Sequence, residues 1–258
     1  MNTQTFYEKI GLSKGIKDKT FAMQGFGNVG YWAAKFFYGD GGKITTIVEY
    51  NSAIHNSDGF DPDDVKKYFQ AKGTLEGYPK AKETELKNPT SFMEKPCDFL
   101  VPAASEKAIH KGNADKLRCK AVVEGANGPT TFAGEEILLK KGIVVCPDLL
   151  VNGGGVTVSY FEWLKNIDHV APGKMNKKYE EKQQKKLLAM MGNYDNEDNI
   201  KGAEEIDIVY SGLEEIMTTA VRVNWEFATK KNLCYRDACL YNAINKVYQS
   251  YKECGITI

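Results

Sequence analysis

No apolar run in this chain reaches membrane-spanning length. Met1 to Lys19 lacks a secretory apolar core and is not arginine-rich, so neither a signal peptide nor an uncleaved presequence is expected there. Charge of one sign is not in excess: 34 basic residues balance 34 acidic ones. No basic stripe interleaves with aromatics, which excludes a nucleic-acid surface of the usual kind. The six cysteines form no C-x-x-C pair, and the three histidines, His55, His110 and His169, lie far apart. That leaves no metal-ligand spacing and no disulfide framework, and the cysteines read as buried free thiols. The histidines read as surface or loop residues. Internal repeats and low-complexity linkers are also missing. What remains is an ordinary globular composition, with 258 residues, 42% hydrophobic and 26% charged, enough for one large domain or two small ones.

The organising stretch runs from Thr20 to Gly30. Phe21 to Met23 reads as a buried strand, and Gly25-Phe26-Gly27-Asn28-Val29-Gly30 follows it, leading into a helix-compatible run to Phe37. Strand, glycine turn and helix in that order form a dinucleotide fingerprint. Gly25 suits the tight turn, Gly27 lets a pyrophosphate approach the backbone, and Gly30 permits close helix–strand packing. The helix start then offers unpaired N–H groups to phosphate. Glu49 closes the next apolar run, nineteen residues after Gly30. A carboxylate there accepts hydrogen bonds from ribose hydroxyls and repels a 2′-phosphate, so NAD is expected ahead of NADP.

After Glu49 a polar loop is expected over Asn51 to Gly59. Asp61-Pro62 reads as a helix cap and first helical residue, with a stop at Gly73. Gly77 to Pro89 reads as irregular. Strands are expected at Asp98–Val101, Lys120–Glu124 and Ile143–Cys146, with helices at Glu106–Asn113 and Phe132–Lys141 between them. This alternation predicts a Rossmann-like, doubly wound, mostly parallel α/β sheet. Helices then take over: Val156–Asn166, a lysine-rich stretch over Lys177–Met191, Glu204–Lys230 with an interruption near Gly212, and Arg236–Glu253. Gly192 to Gly202 is a polar break.

Ligands on such sheets bind beyond the carboxyl ends of the strands. Three small or polar segments fall there: Pro102-Ala103-Ala104-Ser105, Glu124-Gly-Ala-Asn127-Gly-Pro129, and the segment from Asp148 to Gly155 containing Asn152. Asn127 and Asn152 each offer a donor and an acceptor, suited to a carboxamide. Asn-Gly pairs also serve as plain turns, but three such segments on the fingerprint's edge favour a cofactor cleft.

These motifs, together with Asn152-Gly-Gly-Gly-Val-Thr-Val-Ser-Tyr-Phe-Glu-Trp163, resemble the coenzyme domain of glutamate dehydrogenase, within the Glu/Leu/Phe/Val dehydrogenase superfamily. The likeness runs from about Phe6 to Ile258 and points to the eukaryotic hexameric enzymes that use NAD or NADP. The resemblance implies that Gly25 to Gly30 hold the pyrophosphate and Glu49 the adenine ribose. Ala103 and Ala104 would line the nicotinamide ribose, with Asn127 and Asn152 at the nicotinamide. Ser159 would reach the substrate's side-chain carboxylate. The family oxidises glutamate by hydride transfer from Cα, and the imine is hydrolysed to 2-oxoglutarate and ammonium. The resemblance also implies a mitochondrial matrix location, with the cytoplasm as alternative.

The sequence departs from the family pattern in what it omits. The family's catalytic lysine and aspartate lie in an amino-terminal substrate domain with a Pro-x-Gly-Gly-x-Lys-Gly-Gly type motif, which this sequence does not contain. Gly41-Gly-Lys43 is a decoy at the end of the fingerprint helix. Residues 1–19 then read as a remnant of the link to that domain, 20–165 as the NAD-binding core, and 166–258 as C-terminal helices with a shortened antenna-like segment near 192–202. Asn152-Gly153 replaces a more usual Asn-Ala. No catalytic residue is therefore assigned, and the chain unaided is expected not to oxidise glutamate. The alternative is a non-catalytic NAD-binding or structural subunit. Phe161, Trp163, Trp225, Phe227 and Tyr248 suggest a partner or self-association through the C-terminal helices.

Overall fold

Thr20–Gln24 (β1) carries an apolar run that only a fully covered strand accommodates, and it lies in the middle of a seven-stranded sheet. The computed structural model describes residues 4–168, 185 and 204–255. The chain opens with a short helix, Gln4–Lys9 (α1), before β1. Asn28–Gly39 (α2) follows β1 and leads to Lys43–Val48 (β2). The chain then continues through Ala53–Phe60 (β3), Pro62–Lys72 (α3), Glu83–Glu85 (β4), Phe99–Pro102 (β5), Ala121–Val123 (β6), Phe132–Lys140 (α4) and Val144–Cys146 (β7). The strand order is β4-β3-β2-β1-β5-β6-β7. β1 pairs in parallel with both β2 and β5, so the chain reverses its direction of travel across the sheet between β1 and β5. β5–β6 and β6–β7 are also parallel, while β3 and β4 are antiparallel. The Rossmann-like, mostly parallel sheet with flanking helices is as the sequence predicts.

Side chains of β1 alternate between faces. Ala22 shares one core with Phe92, Met93, Leu100, Val122, Leu138 and Val145. Phe21 stacks on Phe37 of α2 (4.5 Å) and on Phe99 (5.1 Å). Burying each such ring contributes about 1.5–3 kcal/mol.

Three local expectations need correction. The loop predicted over Asn51 to Gly59 is mostly β3, which carries His55 as a half-buried strand residue with Nδ1 2.8 Å from Thr46 Oγ1. Burial lowers the His55 pKa, and nearby Lys95 acts in the same direction. The polar residues of β3 hid its pattern: Asn56 is buried because its amide donates to the Lys80 carbonyl (2.9 Å) and its oxygen accepts from the Asp58 N–H (3.0 Å). Part of the irregular stretch before Pro89 is β4. The helix predicted over Glu106–Asn113 is a set of turns. There Asn113 donates to the Ala108 carbonyl and accepts from the His110 N–H, so a side chain takes the place of the helical ladder. Lys107 adopts φ +55°, outside the right-handed region.

The described chain divides into two compact units, Met1–Asn152 with Val221–Ile258, and Gly153–Ala220. Asp148–Val151 (α5) and Gly153–Asp168 (α6) follow β7, and Glu205–Lys231 (α7) and Tyr235–Cys254 (α8) complete the helices. In the first unit Trp225 of α7 is buried against Phe6 (5.1 Å) and Tyr235 (5.3 Å), and its indole donates to Thr5 Oγ1. Trp225 thus belongs to this unit's own core and needs no partner, contrary to expectation. Phe227 is half-buried and stacks on Tyr241, whereas Tyr248 is exposed. In the second unit α7 passes Gly212 without the predicted interruption. The ring of Phe161 fills the space there, 3.2 Å from where a Cβ would lie. Trp163 of that unit is exposed. The expectations for His169, for Lys177–Met191 and for the break near 192–202 fall outside the described residues, apart from Lys185.

Candidate functional site

The fingerprint turn is held by its own backbone. Gly25 adopts φ +89°, and its N–H donates to the Val48 carbonyl at 2.7 Å. A Cβ on Gly25 would lie 2.7 Å from Ala104 Cβ, and one on Gly30 would lie 2.0 Å from the Gly25 carbonyl oxygen. These two glycines are demanded by the turn and by the close approach of α2. Gly27 differs from both. It is the N-cap of α2, offers no side-chain hydrogen bond to the helix start, and has no atom within 4 Å of where a Cβ would sit. The first amides of α2 are therefore left without a capping side chain, beside open space. Gly27, Asn28 and Val29 are all exposed.

Phe26 turns its ring inward and is fully buried, edge-on to Tyr31 at 6.0 Å. Only its backbone faces the turn. Its N–H donates to Glu49 Oε1 at 2.5 Å, and its carbonyl accepts from Lys66 Nζ at 3.0 Å. Glu49 is half-buried. Its carboxylate is thereby tied to the fingerprint loop rather than standing free. Sequence reading missed Lys66, which sits on α3 at no recognisable spacing from the fingerprint.

The segments after the other strands converge on the same edge. The Ala103 N–H donates to the Gln24 carbonyl (2.7 Å), and the N–H groups of Gly125 and Ala126 donate to the Pro102 carbonyl (2.9 and 2.8 Å). A Cβ on Gly125 would meet Ala103 Cβ at 3.2 Å and Val29 Cγ1 at 3.4 Å. Asn152 donates to the Ala126 carbonyl (3.4 Å) and to Asn127 Oδ1 (3.3 Å), which brings the two predicted asparagines together. Gly25 to Gly30, Glu49, Ala103, Ala104, Asn127 and Asn152 thus lie on one connected rim. Ser159 belongs to the second unit. It is exposed on α6, where its hydroxyl donates to the Gly155 carbonyl at 3.0 Å.

A charged cluster adjoins this rim. Arg236, near the start of α8, donates from Nη2 to Glu124 Oε1 (2.7 Å), from Nε to Glu135 Oε2 (2.5 Å) and from Nη1 to Asp148 Oδ1 (3.2 Å). Burial opposes the charge on Arg236, but Glu124 and Glu135 outweigh it and raise its pKa. Burial raises the Glu135 pKa against the pull of Arg236, and Glu135 Oε1 has no partner. Burial also opposes the charge on Asp148, yet the N–H groups of Gly128 and Leu149, with Arg236, hold its pKa below the usual range. The available sequence signal was weak: a cation in the first turn of a helix sits at the wrong end of the dipole unless carboxylates surround it. Elsewhere, burial pushes the Cys119 and Cys239 thiols up to about 12. Among the described residues no group of His, Cys, Asp and Glu could hold a metal, and no helix is long and apolar enough to cross a membrane.

The sequence profile of the Glutamate/Leucine/Phenylalanine/Valine dehydrogenase family matches residues 1–209. The chain is 47% identical to "Glutamate dehydrogenase, mitochondrial" of Dictyostelium discoideum over 256 residues, which cover 96% of this chain and 51% of that protein. It is also 47% identical over 241 residues to the glutamate dehydrogenase of Thermotoga maritima, covering 93% and 50% respectively. The chain therefore spans about half the length of these relatives. Among solved structures, glutamate dehydrogenase from Peptoniphilus asaccharolyticus superposes with a TM-score of 0.67 at 27% identity, over 98% of this chain and 50% of that one. The hetero-hexameric glutamate dehydrogenase from Thermus thermophilus gives a TM-score of 0.76 at 22% identity, over 99% and 51%.

Proposed function

This chain belongs to the Glutamate/Leucine/Phenylalanine/Valine dehydrogenase family, and from that premise we propose that its fingerprint edge binds NAD as the coenzyme half of a glutamate-oxidising enzyme. The observation that carries this reading is Gly27. Its neighbours Gly25 and Gly30 are required by the fold, whereas the space over Gly27 and the uncapped start of α2 answer no internal need. They suit a pyrophosphate, which takes up backbone N–H groups at a helix start. When bound, the nicotinamide would supply the hydride acceptor that glutamate oxidation needs. Glu49, fixed through Phe26, would meet the adenine ribose hydroxyls and disfavour a 2′-phosphate, which favours NAD over NADP. Ala103 and Ala104 leave room for the second ribose. Asn127 and Asn152, which lie side by side, hold the carboxamide end. Ser159 contacts the substrate carboxylate.

The titratable groups of this rim are already engaged: Glu49 by the Phe26 N–H, Lys66 by the Phe26 carbonyl and Asp148 by Arg236. We assign the general acid–base group and the cations for the substrate carboxylates to residues outside this chain, so that turnover requires a second lobe. The location proposed is the mitochondrial matrix, as the printed name of the Dictyostelium relative suggests. Assembly would use exposed apolar residues such as Tyr160 and Trp163 on α6 and Tyr248 and Tyr251 on α8. A fluorescence titration tests the binding claim: NADH is expected to bind, with NADPH at least about tenfold weaker. Absence of NADH binding at millimolar cofactor would overturn it. Robust glutamate-dependent NADH formation by the isolated chain would overturn the assignment of the acid–base group to a second lobe.

A further inference from the structure

Arg236 joins three elements that sequence separates widely. Glu124 directly follows β6, Glu135 lies in the first turn of α4, and Asp148 opens α5 after β7. Glu124 is fully buried and Glu135 nearly so, which is an expensive arrangement for carboxylates unless a cation meets them. One guanidinium supplies a separate N–H direction to each.

Glu124 and Asp148 also accept backbone N–H groups from the segments after β6 and β7. The other oxygen of Glu124 accepts the Asp148 N–H at 2.8 Å. Asp148 Oδ2 accepts the Gly128 N–H at 2.7 Å, and its Oδ1 accepts the Leu149 N–H at 2.8 Å. Asp148 therefore pins Gly128, which follows Asn127, while its own helix leads to Asn152. The direct bonds between Asn152 and the 126–127 segment are long, at 3.3 and 3.4 Å, and are too weak to set that spacing alone. The shorter bonds are those of the Arg236 cluster.

We propose that Arg236 is a positioning residue for the nicotinamide half of the dinucleotide site: by holding Glu124 and Asp148 it sets the spacing of Asn127 and Asn152. The inference rests on the dinucleotide reading above. It adds that the C-terminal helix α8 governs one half of the site and leaves the other alone. The adenosine half is built by Gly25 to Gly30, Glu49 and Lys66, and none of these bonds to the cluster.

The test compares NADH with ADP-ribose, which lacks the nicotinamide ring, in calorimetric titrations of the intact chain. Arg236→Lys keeps the cation but loses the three-way fork. Its affinity for NADH is expected to fall about tenfold while ADP-ribose stays within about twofold of wild type. Asp148→Asn, which turns one of the two acceptor oxygens that serve Gly128, Leu149 and Arg236 into a donor, should give the same split and carries the test if the lysine variant does not fold. A merely structural role would lower the melting temperature and weaken both ligands alike. Equal losses, or no loss for NADH, would overturn the role of Arg236 and leave the dinucleotide reading intact. Failure of the wild-type chain to bind ADP-ribose would overturn both.

Discussion

Gly27 and Gly30 lie three residues apart and respond in opposite ways to one added methyl group. At Gly30 the new Cβ would lie 2.0 Å from the Gly25 carbonyl oxygen, so α2 or the turn must move. At Gly27 nothing within 4 Å opposes it, and φ is −71°, a value open to any residue. Gly27→Ala is therefore expected to cost no more than about 1 kcal/mol of stability, as an N-cap change, while weakening NADH binding at least about tenfold. Gly30→Ala should lose several kcal/mol, on the order of severe overpacking. Thermal melts and NADH titrations of the two variants check this pair. A Gly27→Ala protein that binds NADH like wild type would show that the space over Gly27 receives no phosphate. The sequence made the glycine spacing legible but could not divide the three roles, because two of them depend on the carbonyl of Gly25 and the side chains of Ala103 and Ala104.

The joint between α4 and α8 has its own pH dependence. Glu135 has a raised pKa in the folded chain, chiefly through burial. The folded state therefore holds its proton more tightly than the unfolded state, and this contribution is lost as pH rises through the elevated value. Asp148, with a lowered pKa, acts in the opposite sense: its contribution is present above the ordinary carboxylate value and fades as pH falls through the folded one. Glu135→Gln removes the first effect and keeps an oxygen for the Arg236 Nε–H. Its melting temperature relative to wild type should rise as pH increases from the ordinary carboxylate range through neutrality. A difference that stays flat or falls over that range would contradict the buried, partly unpartnered carboxylate. Sequence periodicity found most elements at this scale, since β1, β5, β6 and β7 are short apolar runs and α3 carries a cap, a proline and a terminal glycine. It missed β3, whose Asn56 and Asp58 are polar yet hydrogen-bonded within the sheet edge, and it mistook 106–113 for a helix because Asn113 competes for the backbone. The Arg236 cluster was illegible because its members are 112, 101 and 88 residues away from the arginine and meet only once the sheet is formed.

For the whole molecule, the strand order places the reversal between β1 and β5, and the fingerprint follows β1 while Pro102-Ala103-Ala104 follows β5. A crevice at such a reversal is where open α/β sheets take their ligands. The rim contains a turn, a carboxylate tied to that turn and paired amides. Such a rim suits the flat, two-ended molecule proposed for it. The most direct measurement is a crystal structure of the chain grown with NADH. The account predicts pyrophosphate against the amides that follow Gly27, a ribose on Glu49 and the nicotinamide beside Asn127 and Asn152. Dinucleotide density seated elsewhere on the sheet, or a rim left empty at millimolar NADH, would contradict it.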